Sequence, residues 1–132
     1  SEETGKKLPD ILAFQENDIY VIETTLLKGR AQYREPEAVA VPDHVEDMLR
    51  QYSGKEVTGI FVCSELDPSV EVYLITTSSS RGYKIVPIEV SEFTGLAKVL
   101  QTSDAPLWKN TIEYLWGVHK RSVERGIPRK HR

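Results

Sequence analysis

Residues 8–27 have the sequence LPDILAFQENDIYVIETTLL, which predicts a β-hairpin. Two apolar stretches, rich in aromatic and β-branched residues, flank a polar turn at residues 15–18. This arrangement is typical of two antiparallel strands joined by a tight connection. We expect the strands to cover residues 11–14 and 19–26. The register of this hairpin decides which polar side chains of the two strands meet.

A turn centred between Glu16 and Asn17 places Asp10 opposite Glu23. Directly opposed side chains of an antiparallel pair lie about 4.5–5.5 Å apart at Cβ, and like charges at that separation repel each other. We expect such a pair to be tolerated only if one carboxylate is protonated or a cation lies between the two. Because two oxygen ligands on a rigid hairpin suit a hard ion such as Mg²⁺, the hairpin predicts a metal-dependent hydrolase.

The composition is that of a single globular domain. The chain has 132 residues, 39% of them apolar, and a net charge of −3, which is an ordinary profile for a soluble protein. The apolar runs are too short to cross a bilayer, so we expect no membrane partner. Residues 1–7 carry no apolar pattern and are expected to be a disordered start or an appended segment, followed by one domain over residues 8–132.

Cys63 is the single cysteine of the chain and lies in the apolar run GIFVCS. A lone thiol in such a run is expected to be a buried core residue rather than a nucleophile. Reduced, unpaired cysteine fits a cytoplasmic protein, and no signal peptide is visible. The chain has no paired Cys or His spacing, so we expect no structural zinc site.

Charge is unevenly distributed along the chain. Residues 1–66 carry seven basic and thirteen acidic groups, whereas residues 67–132 carry ten and seven. The tail, residues 117–132, has six basic groups against one glutamate. A basic end beside an acidic pocket fits an enzyme that acts on a polyanion, and it equally fits a solvated helix end. His119 and His131 lie in this tail and are expected to be solvated.

Helices and strands are expected to alternate in the middle of the chain. Residues 42–54 predict a helix with Pro42 near its first turn. Residues 56–63 form an almost wholly apolar strand, of the kind that is buried on both faces between parallel neighbours. Residues 67–80 are ambiguous, because β-branched residues favour a strand while an initial Asp-Pro pair favours a helix. We expect a helix there, since parallel strands need a crossover.

The last third of the chain predicts one strand and two helices. In the strand, residues 83–90, Pro87 indicates an edge position or a strand end. Ser91 is expected to cap the next helix, and a longer amphipathic helix follows over residues 105–126. The resulting order, β-β-α-β-α-β-α-α, predicts an α/β fold in which helices flank a mixed central sheet.

Glu23 is an acidic residue in a strand that is otherwise built from core residues. The strand period of two places Glu23 on one face with Val21 and Thr25, and Ile22 and Thr24 on the other. A charge that faces water on an edge strand is the alternative interpretation. The apolar neighbours and the opposed carboxylate of the first strand favour a site instead.

The Pro-Asp pair that ends at Asp10, the hairpin, and the Glu-x-Thr pattern from Glu23 to Thr25 together resemble the PD-(D/E)xK nuclease superfamily. The signature of that superfamily is Pro-Asp, a spacer and then Asp/Glu-x-Lys. The resemblance implies a restriction-endonuclease-like core whose acids bind Mg²⁺, or Mn²⁺ in its place. It also implies a lysine that activates or orients the attacking water, and here Thr25 occupies that position.

Residues 21–45, VIETTLLKGRAQYREPEAVAVPDHV, are similar to the AlwI-like type IIS restriction endonucleases and nicking enzymes. The resemblance is best over residues 8–50. It implies metal ligands at Asp10, Glu23 and Glu37, with Glu35 as the alternative to Glu37. The catalytic residues that it implies are Asp10, Glu23, Thr25, Gln32, Glu37 and His44. The loop just after Glu23 carries three basic residues that would contact DNA phosphates or are ordinary loop charges, namely Lys28, Arg30 and Arg34.

Two of these assignments leave alternatives open. Because threonine cannot replace a charged donor, the function of the motif's lysine falls to Lys28, Gln32 or His44, or is absent. His44 would contact the phosphate or act in proton transfer, and the alternative is a surface histidine at a helix start. The superfamily also places a helix and often another acid before the hairpin. Either Glu2 or Glu3 stands in for that acid or, as we rather expect, the helix precedes the sequence given.

The resemblance implies hydrolysis of a phosphodiester bond in double-stranded DNA, leaving 5′-phosphate and 3′-hydroxyl ends. A chain of 132 residues cannot also hold a recognition domain, so we expect a cleavage domain that works with a separate recognition domain or subunit. Dimerisation would serve double-strand cleavage. The alternatives are a repair or recombination nuclease of the same fold, and a non-catalytic module for DNA binding or subunit pairing whose site has decayed.

Overall fold

The computed structural model describes residues 9–28, 36–101 and 105–126, with side chains at all of these except 26–28, 36–37, 99–100 and 105–106. The described residues form four strands and four helices. In chain order these are β1 (Ile11–Gln15), β2 (Asp18–Lys28), α1 (Pro36–Gln51), β3 (Glu56–Glu65), α2 (Pro68–Arg81), β4 (Lys84–Glu89), α3 (Val90–Leu100) and α4 (Ala105–Arg125).

The predicted hairpin and its register are confirmed. β1 and β2 are antiparallel, and Phe14 pairs with Ile19 while Leu12 pairs with Val21. The turn is tight, and Glu16 has a φ of 55°, in the left-handed region that a two-residue connection commonly requires. Both strands extend slightly beyond the predicted bounds.

The four strands form one mixed sheet in the order β1-β2-β3-β4. β3 is parallel to both of its neighbours, as its continuous apolar sequence predicts. β4 is an edge strand, which explains how it accommodates Pro87. The predicted α/β class, with a mixed sheet flanked by helices, is therefore confirmed.

Two apolar layers enclose the sheet, because alternate side chains of each strand point to opposite faces. Phe61 and Cys63 of β3 pack under α1 and α2, whereas Ile60 and Val62 of the same strand pack under α3 and α4. The first layer also contains Val41 and Val45 of α1 together with Val70 and Leu74 of α2. The second contains Phe93 and Leu96 of α3 and Trp108, Ile112, Leu115 and Trp116 of α4.

α2 confirms the helix expected in the ambiguous segment. The Asp67 carboxylate accepts a hydrogen bond from the backbone amide of Ser69 at 2.8 Å and so caps the helix start. Gly82 ends the helix with a φ of 85°, a left-handed conformation that glycine adopts without steric cost. These end signals are local, whereas the β-branched residues Val70 and Ile75 between them are buried in the core.

The expected starts of two helices were wrong. α1 begins at Pro36, so Pro42 lies inside the helix rather than near its first turn. Proline is well tolerated at the first position of a helix, and Pro36 occupies that position here. Ser91 does not cap α3, because Glu89 occupies the position before the helix and its backbone amide donates to the Glu92 carboxylate at 3.2 Å.

None of the helices in the described ranges is long and apolar enough to cross a membrane.

Candidate active site

Asp10 and Glu23 lie at the open end of the β1–β2 pair. Asp10 sits in a bend immediately before β1, and its side chain is exposed. Glu23 lies within β2, opposite Phe61 of β3, and is only 3% exposed. The hairpin register, continued by one residue from the pair Ile11 and Ile22, brings the two acids opposite each other.

Reciprocal hydrogen bonds hold the two acids in place. The backbone amide of Asp10 donates to Glu23 Oε2 at 3.3 Å. In the other direction, Asp10 Oδ2 accepts from the Thr24 backbone amide at 2.8 Å and from Thr24 Oγ1 at 3.2 Å. Each carboxylate therefore accepts a hydrogen bond from a backbone amide of the other strand, at the end where the ladder of β1 and β2 stops.

His44 of α1 is the third member of the site. Its Nδ1 lies 2.5 Å from Glu23 Oε1, and the imidazole is only 6% exposed. The hydrogen bond to Glu23 raises the pKa of His44 above its usual value of 6.5, although burial opposes the shift. A protonated His44 supplies the positive charge that a buried glutamate requires. The helix that covers the sheet thus places its histidine directly on Glu23.

The expectation that only protonation or an intervening cation would make the opposed acids tolerable was too narrow. Thr24 satisfies Asp10, and His44 satisfies Glu23, so the pair is accommodated by hydrogen bonds from the protein itself. Within the described part of the chain, no three His, Cys, Asp or Glu side chains are grouped so that they would hold a metal ion. Electrostatic repulsion alone is therefore not evidence for a metal.

The donor set nevertheless suits a hard divalent ion. Mg²⁺ is commonly held by one or two protein carboxylates, with water and substrate phosphates completing its shell, rather than by a full protein cage. Asp10 is exposed, and its Oδ1 accepts no hydrogen bond from the part of the chain that the structure describes. Among the residues that the structure describes, Glu23 Oε2 receives only the long bond from the Asp10 amide. These two oxygens fit the ion.

The chain matches the family model of the AlwI restriction endonuclease over residues 4–96. The match covers more than half of the chain, including the hairpin, α1, β3, α2 and β4. The chain belongs to the AlwI restriction endonuclease family. It is thus a restriction-enzyme-related domain, and membership also agrees with the resemblance found in residues 8–50.

Solved structures show the same fold. The crystal structure of the small subunit of a heterodimeric restriction endonuclease superposes with a TM-score of 0.75 at 20% sequence identity. The match covers 89% of this chain and 64% of that subunit, so the chain spans less than two thirds of the protein that it resembles. None of the curated proteins matches the sequence. At this identity the likeness establishes the restriction-endonuclease-like fold.

The other residues that the AlwI-type pattern implies fall near the site or outside the described side chains. Thr25, at the position of the motif's lysine, is 9% exposed and follows Glu23 and Thr24 in β2. The ladder between β2 and β3 shifts register between Thr25 and Lys28; such irregularities often re-aim residues beside active sites. The side chains of Lys28 and Glu37 lie outside the described set. So do the whole residues Glu2, Glu3, Arg30, Gln32, Arg34 and Glu35.

Two further expectations concern buried groups. Cys63 is buried, as its apolar run predicts, and its Sγ donates to the Ile88 backbone oxygen at 3.8 Å. The expectation that His119 is solvated was wrong: its Nδ1 lies 2.5 Å from Glu71 Oε2, and that glutamate is only 2% exposed. The contact joins α4 to α2 beyond the edge of β4. His131 lies outside the described residues.

Sequence reasoning missed two contacts of the site. It placed Thr24 on the opposite strand face from Glu23 and gave it no role, although Thr24 supplies both donors to Asp10. It assigned His44 to phosphate contact or proton transfer and did not foresee the bond to Glu23. The first contact has a local signal, a hydroxyl residue next to the acid across the hairpin. The second depends on how α1 lies over the sheet, for which the sequence carries no spacing signal.

Proposed function

We propose that this chain is the cleavage domain of a type IIS restriction or nicking enzyme, a metal-dependent endodeoxyribonuclease that hydrolyses phosphodiester bonds. The observation that carries the proposal is the opposition of Asp10 and Glu23 across the hairpin, with His44 on the buried oxygen of Glu23, in a chain of the AlwI restriction endonuclease family. Family membership favours restriction over repair or recombination.

In this proposal Asp10 and Glu23 hold Mg²⁺, or Mn²⁺ in its place, and Glu37 is the further candidate ligand. Bound there, the ion would lower the pKa of a water molecule and offset charge that develops on the phosphate. The Glu23 carboxylate is oriented by His44 through Oε1, which leaves Oε2 on the side of Asp10. His44 is thus a positioning residue, comparable to the outer partners that orient metal ligands elsewhere.

Roles for the remaining residues follow the family pattern. Gln32 would contact the water in place of the missing lysine, whereas Thr25, which cannot replace a charged donor, would contact the phosphate. Lys28, Arg30 and Arg34 follow Glu23 closely in the chain and would bind phosphates of double-stranded DNA. All five are proposals for mutagenesis.

A partner is part of the proposal. The solved neighbour is one subunit of a heterodimeric restriction endonuclease, and this chain spans 64% of its length. We propose that a separate domain or subunit reads the DNA sequence, and that a second cleavage site, supplied by dimerisation or by a partner, is needed to cut both strands.

Plasmid nicking in the presence of Mg²⁺ tests the proposal. Asp10→Asn and Glu23→Gln keep the side-chain shapes while removing one negative charge each, so we expect both to lower the nicking rate on the order of 100-fold. Asp43→Asn is the matched control, because Asp43 is an exposed acid next to His44 and takes no part in the hairpin contacts. Chelation of the divalent ion should abolish nicking by the wild type.

Nicking that survives both substitutions would remove these acids from the mechanism. A chain that binds DNA or its partner but never nicks, even at high protein concentration and when joined to its recognition partner, would instead support the non-catalytic pairing module. The feature that favours this alternative is Thr25, a buried neutral residue at the position of the motif's lysine.

A further inference from the structure

A cluster of cations surrounds Trp116 on the opposite side of the sheet from Glu23. The Lys84 Nζ atom lies 5.6 Å from the centroid of the Trp116 ring, and the Lys120 Nζ atom lies 5.1 Å from it. Both distances are within the range of a cation–π interaction. Lys84 begins β4 and Lys120 lies one turn after Trp116 in α4, so the cluster joins two elements.

A third cation lies over the next residue of α4, Gly117. An atom added at the Cβ position of Gly117 would meet Arg121 Nη1 at 3.3 Å, so the guanidinium folds back over Gly117. Because Gly117 follows Trp116 directly, the Arg121 guanidinium lies on the turn of α4 that carries the indole. The absence of a side chain at Gly117 provides the room for it.

The support beneath these cations is fixed. The indole Nε1 of Trp116 donates to Ser78 Oγ at 3.3 Å, which ties the ring to α2. One turn further along α4, His119 binds the buried Glu71 of the same helix. The Trp116 ring is therefore held in one orientation, and the two ammonium groups over it are pre-positioned.

These cations have no carboxylate partner in the described residues. No described carboxylate oxygen lies within 4 Å of Lys84, Lys120 or Arg121, whereas Arg50 and Arg81 each form an ion pair. Neither Glu56 nor Glu124 forms an ion pair with these three described cations. Glu56 interacts electrostatically with Lys84, but its carboxylate is bound by Lys109 Nζ at 3.0 Å. Glu124, one turn beyond Lys120 in α4, is exposed.

An external polyanion would neutralise these cations, none of which is ion-paired with a described carboxylate. We propose that Lys84, Lys120 and Arg121 form a second binding surface for the phosphate backbone of double-stranded DNA, separate from the cleavage site. The proposal rests on the proposed nuclease function for the identity of the polyanion. Phosphate contacts of this kind hold and orient the duplex without reading its sequence.

The register of the sheet explains why this surface is separate. Lys84 pairs with Thr58, and Thr58 pairs with Tyr20, three residues before Glu23 in β2. Lys84 also points to the layer of α4, whereas Glu23 lies under α1. The surface therefore contacts a stretch of backbone other than the phosphodiester at the Asp10–Glu23 pair.

The salt dependence of DNA binding tests this surface. Binding of the chain to a fluorescently labelled duplex is measured by anisotropy, in EDTA to prevent cleavage, between about 50 and 200 mM salt. Each lysine that contacts a phosphate contributes about 1 to the slope of log K against log salt. We expect the double substitution Lys84→Gln/Lys120→Gln to reduce the magnitude of this slope by about 2.

Arg50→Gln/Lys98→Gln is the matched control, because it removes the same charge from exposed positions in α1 and α3. It should leave the slope unchanged. An equal shift in both double variants, an unchanged slope in the lysine variant, or no binding by the wild type at any salt concentration would each overturn the proposal. An unchanged slope together with lost binding to the partner subunit would assign the surface to an acidic protein.

Nicking assays on the same proteins separate the two proposals. A wild-type chain that shows the lysine-dependent slope but does not nick with Mg²⁺ would contradict the proposed function and leave the binding surface standing. A chain that nicks normally and shows no lysine-dependent slope would do the reverse. Thermal melting checks that both double variants fold.

Discussion

The buried pair of His44 and Glu23 links the candidate site to the stability of the molecule. A buried carboxylate is tolerated when a hydrogen-bonded partner offsets its desolvation, and removing that partner leaves the charge uncompensated. Glu23 Oε1 faces His44 Nδ1 at 2.5 Å, with both side chains shielded from solvent. The residue that orients the proposed metal ligand is therefore also one that the fold requires.

We expect His44→Leu to lower the free energy of unfolding by about 3 kcal/mol, because it strands the Glu23 carboxylate in the core. The measurement is urea denaturation at neutral pH. The double variant Glu23→Gln/His44→Leu should lose much less than the sum of the two single changes, since the neutral amide no longer needs a cation. Additive losses would show that the two side chains do not interact.

Tyr83 and Glu46 provide a separate, acid-sensitive contact. The Tyr83 hydroxyl donates to Glu46 Oε2 at 2.5 Å, and Arg81 Nη1 contacts the same oxygen at 2.7 Å. The hydrogen bond from Tyr83, followed by that from Arg81, lowers the pKa of Glu46 below its usual 4.5. A carboxyl whose pKa is lower in the folded state stabilises the fold above its unfolded pKa. That stability is lost as pH falls through the folded value.

We expect Tyr83→Phe to cost about 1 kcal/mol at pH 7 and progressively less as the pH falls below the usual glutamate pKa. The difference in melting temperature between wild type and variant, followed from neutral to acidic pH, measures this. A cost that stays constant across that range would mean that the hydroxyl acts through packing and not through the Glu46 charge.

α1 packs closely on β3 at Gly59, where a Cβ atom would be crowded. A Cβ atom at Gly59 would meet Val45 Cγ2 at 3.0 Å and Ile85 Cγ1 at 3.1 Å. Both neighbours are fully buried, so neither can move away freely. This contact sets the distance of α1 from the sheet, and α1 is the helix that carries His44.

Gly59→Ala should destabilise the protein by about 1–3 kcal/mol, because the added methyl overpacks the layer between α1 and the sheet. Gly95→Ala is the control, since nothing lies within 4 Å of a Cβ there and the residue is inside α3. Alanine is the better helix former, so that change should be neutral or stabilising by up to about 1 kcal/mol. Denaturant melts of both variants decide the point, and a harmless Gly59→Ala would show that α1 can shift outward.

The two core layers share one sheet, which couples them across the whole molecule. Leu74 of α2 is fully buried in the first layer, between the helices α1 and α2 and the sheet. Ile112 of α4 is 1% exposed in the second layer. The central strand β3 supplies side chains to both layers. Both tryptophans lie in the second layer, so their fluorescence reports chiefly on that layer.

Leu74→Ala and Ile112→Ala should each lower the free energy of unfolding by about 2–5 kcal/mol. For either variant, tryptophan fluorescence and far-ultraviolet circular dichroism should give coincident transitions, because loss of one layer exposes the sheet and undoes the other. If Leu74→Ala shifted the circular dichroism transition and left the tryptophan transition in place, the layers would be independent units.

Much of the architecture follows from local signals in the sequence. The polar turn between two apolar stretches predicts the hairpin and its register, because a side-chain period of two leaves a single pairing that buries one face. The continuous apolar run of β3 predicts its central, parallel position, and Asp67 with Pro68 predicts the start of α2. The opposition of Asp10 and Glu23 follows from the hairpin alone, since both residues lie within the same local unit.

The histidine partners of the buried acids Glu23 and Glu71 were decided by the tertiary structure. His44 lies 21 positions after Glu23 in the chain, and Glu71 lies 48 positions before His119. Neither contact lies within one helix or hairpin. The first forms because α1 packs on the sheet over β2, and the second forms because α4 packs next to α2. Periodicity determines which face of an element is buried. The pairing of polar residues across two buried faces depends on the distance between the packed elements and on their rotation. Both are properties of the assembled core.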